Sequence, residues 1–161
     1  MPLQLSVLPL LSALDGSLYR SVMEVLVPAL FLGFGVPAAL LDTRFDRVDL
    51  LCGLLYRLIG DLLLERNATV ATAESCTGGK IAELFTSIAG ASRYYWGSVV
   101  SYDNSVKINT LKVRKSTIDT YGAVSSQTVE EMAEGVRKLL GTDYAVATSG
   151  IAGPGGGSAE K

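Results

Sequence analysis

The sequence predicts an α/β fold, a three-layer α/β/α sandwich with helices on both faces of a largely parallel or mixed sheet. Short runs of β-forming residues alternate with segments of helical periodicity, an order typical of such sheets. Two of the β runs end in turns that carry serine and glycine. Ligands bind such sheets beyond the carboxyl ends of the strands, so we expect the functional residues in these two turns.

The predicted elements follow one another along the chain. A leucine-striped helix with Asp49 as its cap is expected to end near Asn67. After it we expect a strand over residues 68–73, a helix over 81–88, a strand over 94–102, two short helices around Val106 and from Ser116 to Gly122, a helix from a Ser125 cap to Gly141, a strand over 144–148 and a glycine-rich loop over 149–157.

Composition excludes several classes of function. The chain has 161 residues, enough for one domain with a sizeable core, and a net charge of −2 with scattered basic residues, so we expect no nucleic-acid partner. It contains no histidine, which excludes Ser-His-Asp and Cys-His catalysis and every metal site that needs imidazole. A nucleophile would need a lysine, tyrosine, carboxylate or water as its base. Cys52 and Cys76 are too far apart for a disulfide framework and are predicted to be reduced thiols of a cytoplasmic protein.

Residues 1–48 form an apolar segment to which we assign no role. Residues 25–41 carry no charge but contain Pro28 and Pro37, and the run is shorter than the roughly 20 apolar residues of a membrane helix. No basic residue precedes Arg20, which argues against a secretory signal. We expect a soluble, partly irregular segment, with a membrane helix as the alternative.

The turn after the first predicted strand carries three candidate nucleophiles, Ser75, Cys76 and Thr77. At a helix entrance the first N–H groups lack partners, so the turn could bind a phosphate or stabilise an oxyanion. Gly78 and Gly79 would let a ligand approach the backbone. The alternative is purely structural: Ser75 or Thr77 caps the helix and the glycines form a tight turn.

Two familiar motifs do not fit this turn. A phosphate-binding P-loop needs Ser or Thr where Ile81 stands and glycine where Glu74 stands. A G-x-S-x-G nucleophile elbow is also absent, because Ala73 and Thr77 flank the serine where glycines are required.

Four blocks of sequence, in this order and at this spacing, resemble the C-terminal domain of the CinA family of competence/damage-inducible proteins. They are AESCTGG, VVSYDNSVK, YGAVSSQTVEEMAEG and TSGIAGPGGGSAEK. The resemblance covers residues 49–161, and stand-alone members of the family are nicotinamide-nucleotide amidohydrolases. It implies that the chain hydrolyses the carboxamide of nicotinamide mononucleotide to nicotinate mononucleotide and ammonia, without a cofactor or a metal.

The resemblance also implies roles for particular residues. It makes Ser75 the nucleophile, with Tyr102 and Lys107 as the groups that move its proton. Amide hydrolysis fits this set, because Lys107 could act as the base if burial keeps its amine partly neutral. Cys76 is intrinsically the stronger nucleophile, so the choice of Ser75 rests on the resemblance.

Contacts to the nucleotide substrate are expected from both turns. The N–H groups of residues 76–78 are candidates for the oxyanion hole. The residues expected to touch the substrate are Cys76, Thr77, Gly78, Gly79, Ser149, Gly150 and Gly153. The alternative for the glycine loop is a floppy tail.

The family's sequence pattern continues beyond Lys161 with further strands and a closing helix, so the domain over residues 49–161 is expected to be incomplete. An exposed sheet edge and the family resemblance both suggest a homodimer. The competing hypothesis is a non-catalytic nucleotide-binding or assembly module that keeps the fold without the complete site.

Overall fold

The computed structural model describes the backbone of residues 4–8 and 41–151 and the side chains of residues 53–151. Strands and helices alternate after residue 41, which confirms the α/β fold. In chain order the elements are β1 (Gln4–Leu8), α1 (Leu41–Glu65), β2 (Val70–Glu74), α2 (Lys80–Thr86), a 3-10 turn (Ala91–Arg93), β3 (Tyr95–Val100), α3 (Asn104–Asn109), α4 (Lys115–Tyr121), α5 (Ser126–Leu140) and β4 (Tyr144–Ser149).

The sheet is mixed, with the strand order β1-β4-β2-β3. β2 pairs in parallel with β3 on one side and with β4 on the other. β1 pairs antiparallel with β4 over the whole of its length. The carboxyl end of β2 therefore lies between the carboxyl ends of two parallel neighbours, where such sheets hold their ligands.

Two apolar cores lie on opposite faces of the sheet. Side chains alternate along β2 and β4, so that Val70 and Val146 join one core while Ala71 and Ala145 join the other. The first core is completed by residues of α1, α2 and the start of β3: Tyr56, Ile59, Leu63, Ile81, Phe85 and Tyr95. The second is completed largely by α5 and the loop after α3: Leu111, Val113, Val129, Met132, Ala133 and Val136. This is the predicted three-layer arrangement.

Helix α5 ends as predicted and packs unusually closely on the loop that follows α3. The Ser125 side chain accepts a hydrogen bond from the N–H of Thr128, and Gly141 closes the helix in the left-handed conformation. A Cβ atom at Gly135 would lie 2.0 Å from the carbonyl oxygen of Leu111. Only glycine permits this approach, which places α3 and its side chains relative to the sheet.

Three expectations about the elements were wrong. Helix α1 begins at Leu41, so Asp49 lies inside it and does not cap it. Helix α4 begins at Lys115, one residue before the predicted start at Ser116, and Asp119 pairs with Lys115. Strand β1 arises in a segment for which no element was predicted.

The N-terminal expectations are largely untested. Within the described residues no helix is both long enough and apolar enough to cross a membrane. Residues 25–40 of the uncharged run lie outside the described residues, and the division of the chain near residue 48 stays a prediction.

Candidate active site

Ser75 follows β2 and is held at the centre of the sheet's carboxyl edge. Its N–H donates to the carbonyl oxygen of Thr148 on β4, at 3.0 Å. Its side chain is buried, with a relative exposure of 6%. The turn therefore presents one hydroxyl from a position fixed by two adjacent strands.

Lys107 lies on α3 and reaches the same point from the far side of β3. Its Nζ atom lies 3.1 Å from Oγ of Ser75, 2.6 Å from the carbonyl oxygen of Ser101 and 3.0 Å from that of Tyr102. The residue is only 1% exposed. The structure thus brings the predicted nucleophile and the predicted base into direct contact.

The three contacts of Lys107 Nζ fit an ammonium, which has three N–H groups to donate, and they also fit the neutral amine. Two partners are carbonyl oxygens, which can only accept hydrogen bonds. A neutral amine has two N–H groups, and both are needed by Ser101 and Tyr102. Its lone pair then faces the hydroxyl of Ser75, the arrangement that a base requires.

Electrostatics favour this neutral form. Burial lowers the pKa of the Lys107 ammonium below its ordinary value, because the charged form loses its water. The charges of Asp103 and of Cys76, when ionised, act in the opposite direction. Asp103 caps α3, its carboxylate accepting the N–H of Ser105 at 2.7 Å, so it is held near the amine.

Glu74, immediately before the serine, fills the entrance of α2 with its own carboxylate. Its Oε2 atom accepts the N–H groups of Gly79 at 3.0 Å and Ile81 at 3.1 Å, and Oε1 accepts that of Ala82 at 2.8 Å. The expectation that these first amides of the helix could bind a phosphate was therefore wrong. They already hold an anion, which the protein itself supplies.

Two amides of the turn have no oxygen acceptor among the described residues, and both lie near the sulfur of Cys76, where they lower its pKa. The N–H of Gly78 donates to the carbonyl oxygen of Ser75, at 3.2 Å. Within the described residues, no oxygen accepts the N–H of Cys76 or of Thr77. Of the donors predicted for the oxyanion hole over residues 76–78, only the N–H groups of Cys76 and Thr77 therefore remain as candidates.

The thiol of Cys76 is half-buried, and its surroundings raise its pKa above the ordinary value. Burial raises its pKa, and the charge of Glu74 adds to the rise. The N–H groups of Cys76 and Thr77 and the charge of Lys107 oppose it. No hydrogen bond joins Lys107 to this sulfur among the described contacts, whereas one joins it to Ser75.

The remaining predicted substrate contacts are distributed around this centre. Thr77 is buried and its hydroxyl lies 2.8 Å from that of Thr148. The Ser149 hydroxyl donates to the carbonyl oxygen of Ala123 at 2.9 Å, and the half-buried Gly150 follows it at the end of β4. Both predicted turns thus lie on adjacent strands, at one edge of the sheet.

The other predicted site residues, Tyr102 and three glycines, differ in their exposure and in whether the structure describes them. The Tyr102 side chain is 74% exposed, and among the described contacts only its carbonyl oxygen touches Lys107. Gly78 is exposed on the turn and Gly79 is half-buried, both with positive φ. Gly153 lies outside the described residues.

Sequence reasoning missed three residues that build the site: Glu74, Ser101 and Thr148. Glu74 carried only a weak signal, as a carboxylate directly before the three candidate nucleophiles of the turn. The contacts of Ser101 with Lys107 and of Thr148 with Ser75 are made by backbone oxygens, which any residue supplies. No pattern of side chains could have identified them.

Comparison with known proteins places this geometry in context. Residues 54–161 match the family model described as the CinA C-terminal domain. A CinA-like protein of Leptospira borgpetersenii is 46% identical over 128 residues, covering 76% of this chain and 31% of that protein. A CinA-like protein of Cytophaga hutchinsonii is 55% identical over 103 residues, covering 64% of this chain and 25% of that protein. The chain thus spans about a third or less of the length of these curated relatives.

Two solved structures share the fold. The competence/damage inducible protein CihA of Agrobacterium tumefaciens superposes with a TM-score of 0.66 at 46% identity, covering 68% of this chain and 67% of that one. The competence damage-inducible protein A of Klebsiella pneumoniae gives a TM-score of 0.64 at 39% identity, with 66% of each chain covered.

Proposed function

This chain belongs to the CinA C-terminal domain family, and on that premise we propose that it is a serine amidohydrolase. Its substrate is nicotinamide mononucleotide, whose carboxamide it hydrolyses to give nicotinate mononucleotide and ammonia. The observation that carries the proposal is the 3.1 Å contact between Nζ of the buried Lys107 and Oγ of Ser75.

The first half of the reaction forms an acyl-enzyme. Oγ of Ser75 attacks the carboxamide carbon while the neutral amine of Lys107 takes the hydroxyl proton. The N–H groups of Cys76 and Thr77 stabilise the oxyanion of the tetrahedral intermediate, where losing one such donor costs about 3 kcal/mol. Lys107 then gives its proton to the departing nitrogen, the C–N bond breaks, and ammonia leaves.

The second half returns the enzyme to its starting state. Lys107, neutral again, takes a proton from a water molecule that attacks the ester carbon. The C–O bond to Ser75 breaks, and the serine oxygen recovers its proton from Lys107. The net change is one amide and one water converted to a carboxylic acid and ammonia.

The proposal names Ser75 and not Cys76 on physical grounds. A thiol attacks as its thiolate, and burial together with the charge of Glu74 raises the pKa of Cys76. The base contacts the serine hydroxyl directly. These features support the hydroxyl even though sulfur is the better nucleophile in free solution.

The test is to incubate the 161-residue protein with nicotinamide mononucleotide and follow ammonia. We expect release by the wild type and loss of at least about 10³-fold in Ser75→Ala, as for other serine nucleophiles. Ser87→Ala is the matched control, because this exposed serine binds only the Leu84 carbonyl on the surface of α2. Ammonia release by Ser75→Ala at the wild-type rate would remove Ser75 as the nucleophile.

One observation favours the non-catalytic alternative. The hydroxyl of Tyr102 has no hydrogen bond to Ser75 or Lys107 among the described contacts, so the predicted proton relay is not assembled. A nucleotide-binding module would bind nicotinamide mononucleotide in a calorimeter and leave it intact, with no ammonia formed over hours.

A further inference from the structure

We propose that Glu74 is a positioning residue for the Ser75 turn, acting through its buried carboxylate. The inference rests on the proposed function for its kinetic consequence and on the described contacts for its physical content. It explains how a glycine-rich turn holds a nucleophile in place without a side-chain cap from the helix itself, since the N-cap Gly79 has none to offer.

The carboxylate is fully buried and each oxygen has a partner. The residue has 0% exposure, and three backbone N–H groups, from Gly79, Ile81 and Ala82, donate to it. Charge-assisted hydrogen bonds of this kind are roughly twice as strong as neutral ones. Because a buried carboxylate is costly unless it is hydrogen-bonded, the three bonds strongly select one conformation of the turn.

These bonds span the nucleophile. Glu74 precedes Ser75, and the three donors follow it, so the chain over residues 75–78 is closed into a loop between the side chain and the backbone of α2. Both glycines of this loop have positive φ, which gives the turn no rigidity of its own. Without the carboxylate, the loop would lose its three side-chain bonds to the start of α2 and would keep the backbone bond from the N–H of Lys80 to the carbonyl oxygen of Thr77, at 3.0 Å.

The same residue also connects with the base. The carbonyl oxygen of Glu74 accepts the N–H of Ser101 at 2.7 Å, and the carbonyl oxygen of Ser101 accepts from Lys107 Nζ at 2.6 Å. Glu74 therefore fixes the serine through its side chain and the lysine through its backbone. Only the first tie depends on the identity of the residue, so substitution separates the two.

The experiment compares Glu74→Gln and Glu74→Ala with the wild type. We expect kcat for nicotinamide mononucleotide to fall about 10- to 100-fold, with KM changed much less, because a displaced nucleophile slows the chemical step. In Glu74→Ala, added formate should restore part of kcat by occupying the vacated carboxylate position, and equal concentrations of chloride should not. Glu83→Gln is the matched control, since this exposed carboxylate lies on the same helix and pairs with Lys80 on the surface.

A second measurement is independent of turnover. Phenylmethanesulfonyl fluoride should sulfonylate Oγ of Ser75 in the wild type with loss of fluoride, and mass spectrometry should show a slower rate in Glu74→Gln. Amide exchange of Ile81 and Ala82 should accelerate in the same variant. If the wild type releases no ammonia yet shows these differences, the proposed function fails and the role of Glu74 stands.

Three results would overturn the inference. The first is a Glu74→Gln variant with the wild-type kcat and labelling rate. The second is a folded Glu74→Ala variant whose lost activity formate does not restore. Should Glu74→Ala fail to fold, unchanged amide exchange at Ile81 and Ala82 in Glu74→Gln would decide against it.

Discussion

Two serines end neighbouring parallel strands of this protein and have different surroundings. Glu74 of β2 is in register with Thr148 of β4, so Ser75 and Ser149 follow at equivalent positions of the same sheet edge. Both are buried. The Ser75 hydroxyl contacts the amine of Lys107, whereas the Ser149 hydroxyl donates to the carbonyl oxygen of Ala123.

The comparison teaches that position at a strand end does not by itself make a nucleophile. A hydroxyl bound to a carbonyl has committed its proton to an acceptor that cannot remove it. A hydroxyl facing a desolvated amine can lose its proton, provided the amine is neutral. Burial of Lys107, which lowers the pKa of its ammonium, is therefore what separates the two serines.

Removing the amine of Lys107 should have the largest effect on the difference between the two serines. Lys107→Met keeps an unbranched side chain in the buried position but leaves Ser75 without a base. We expect ammonia release to fall by about 10²- to 10⁴-fold, the usual contribution of a general base. Lys112→Met, in the exposed loop just after α3, should retain wild-type activity. Full activity in Lys107→Met would show that another group takes the proton.

A substitution at Gly135 should displace the amine of Lys107 without changing its chemistry. In Gly135→Ala the new methyl group would meet the carbonyl oxygen of Leu111 at 2.0 Å, so α3 and Lys107 must shift. We expect the free energy of unfolding to fall by about 1–3 kcal/mol, as in overpacked cores, together with lower kcat.

The matched variant, Gly53→Ala, should change the free energy of unfolding in the opposite direction. Gly53→Ala lies in α1 with nothing within 4 Å of the added Cβ, and alanine favours a helix by about 0.5–1 kcal/mol. Chemical denaturation of both variants tests the pair. Equal effects of the two substitutions would mean that the loop after α3 moves aside freely.

Much of this site was predictable because of how parallel sheets are built. The apolar alternation of β2 and β4 predicted two strands, and their shared direction placed Ser75 and Ser149 at one edge. The family resemblance predicted Lys107 beside Ser75, and the pattern of residues placed it only within one helical turn of the end of the next strand. Glu74 could not be predicted in its role, because its partners are backbone amides that exist only once α2 has formed. The pairing of β1 with β4 joins residues more than 130 positions apart, for which the local sequence holds no signal.

The pH dependence of activity should also distinguish the two serines, since Ser75 contacts a group that titrates, Lys107, and Ser149 contacts a carbonyl oxygen. Activity should rise with pH as Lys107 loses its proton, and the acidic limb reports its pKa. The charge of Asp103 raises that pKa against the effect of burial, so Asp103→Asn should move the limb toward lower pH.

Asparagine isolates the charge, because it caps a helix about as well as aspartate and preserves the bond to Ser105. The measurement is kcat/KM across the pH range for both proteins. A limb that stays in place, or moves to higher pH, would contradict the assignment of Lys107 as the base.

The smallest effect is expected at the second serine. Ser149→Ala leaves the carbonyl oxygen of Ala123 without its hydrogen bond, which should cost about 1 kcal/mol of stability. Its kcat should fall by far less than the roughly 10²-fold that marks the loss of a proton-transfer group. A loss of kcat as large as that of Ser75→Ala would contradict the different roles given to the two serines.

The pairing of β1 has a practical consequence for anyone producing this protein recombinantly. Thr148 turns its carbonyl group toward β2, so the alternate residues Ala145, Ala147 and Ser149 turn theirs toward β1. Trimming the chain to residues 54–161, the stretch that matches the family, would strip that edge and leave its N–H and C=O groups open to another chain. Preparations that retain residues 4–8 should therefore protect the amides of Ala145, Ala147 and Ser149 from hydrogen exchange, and the trimmed version should not.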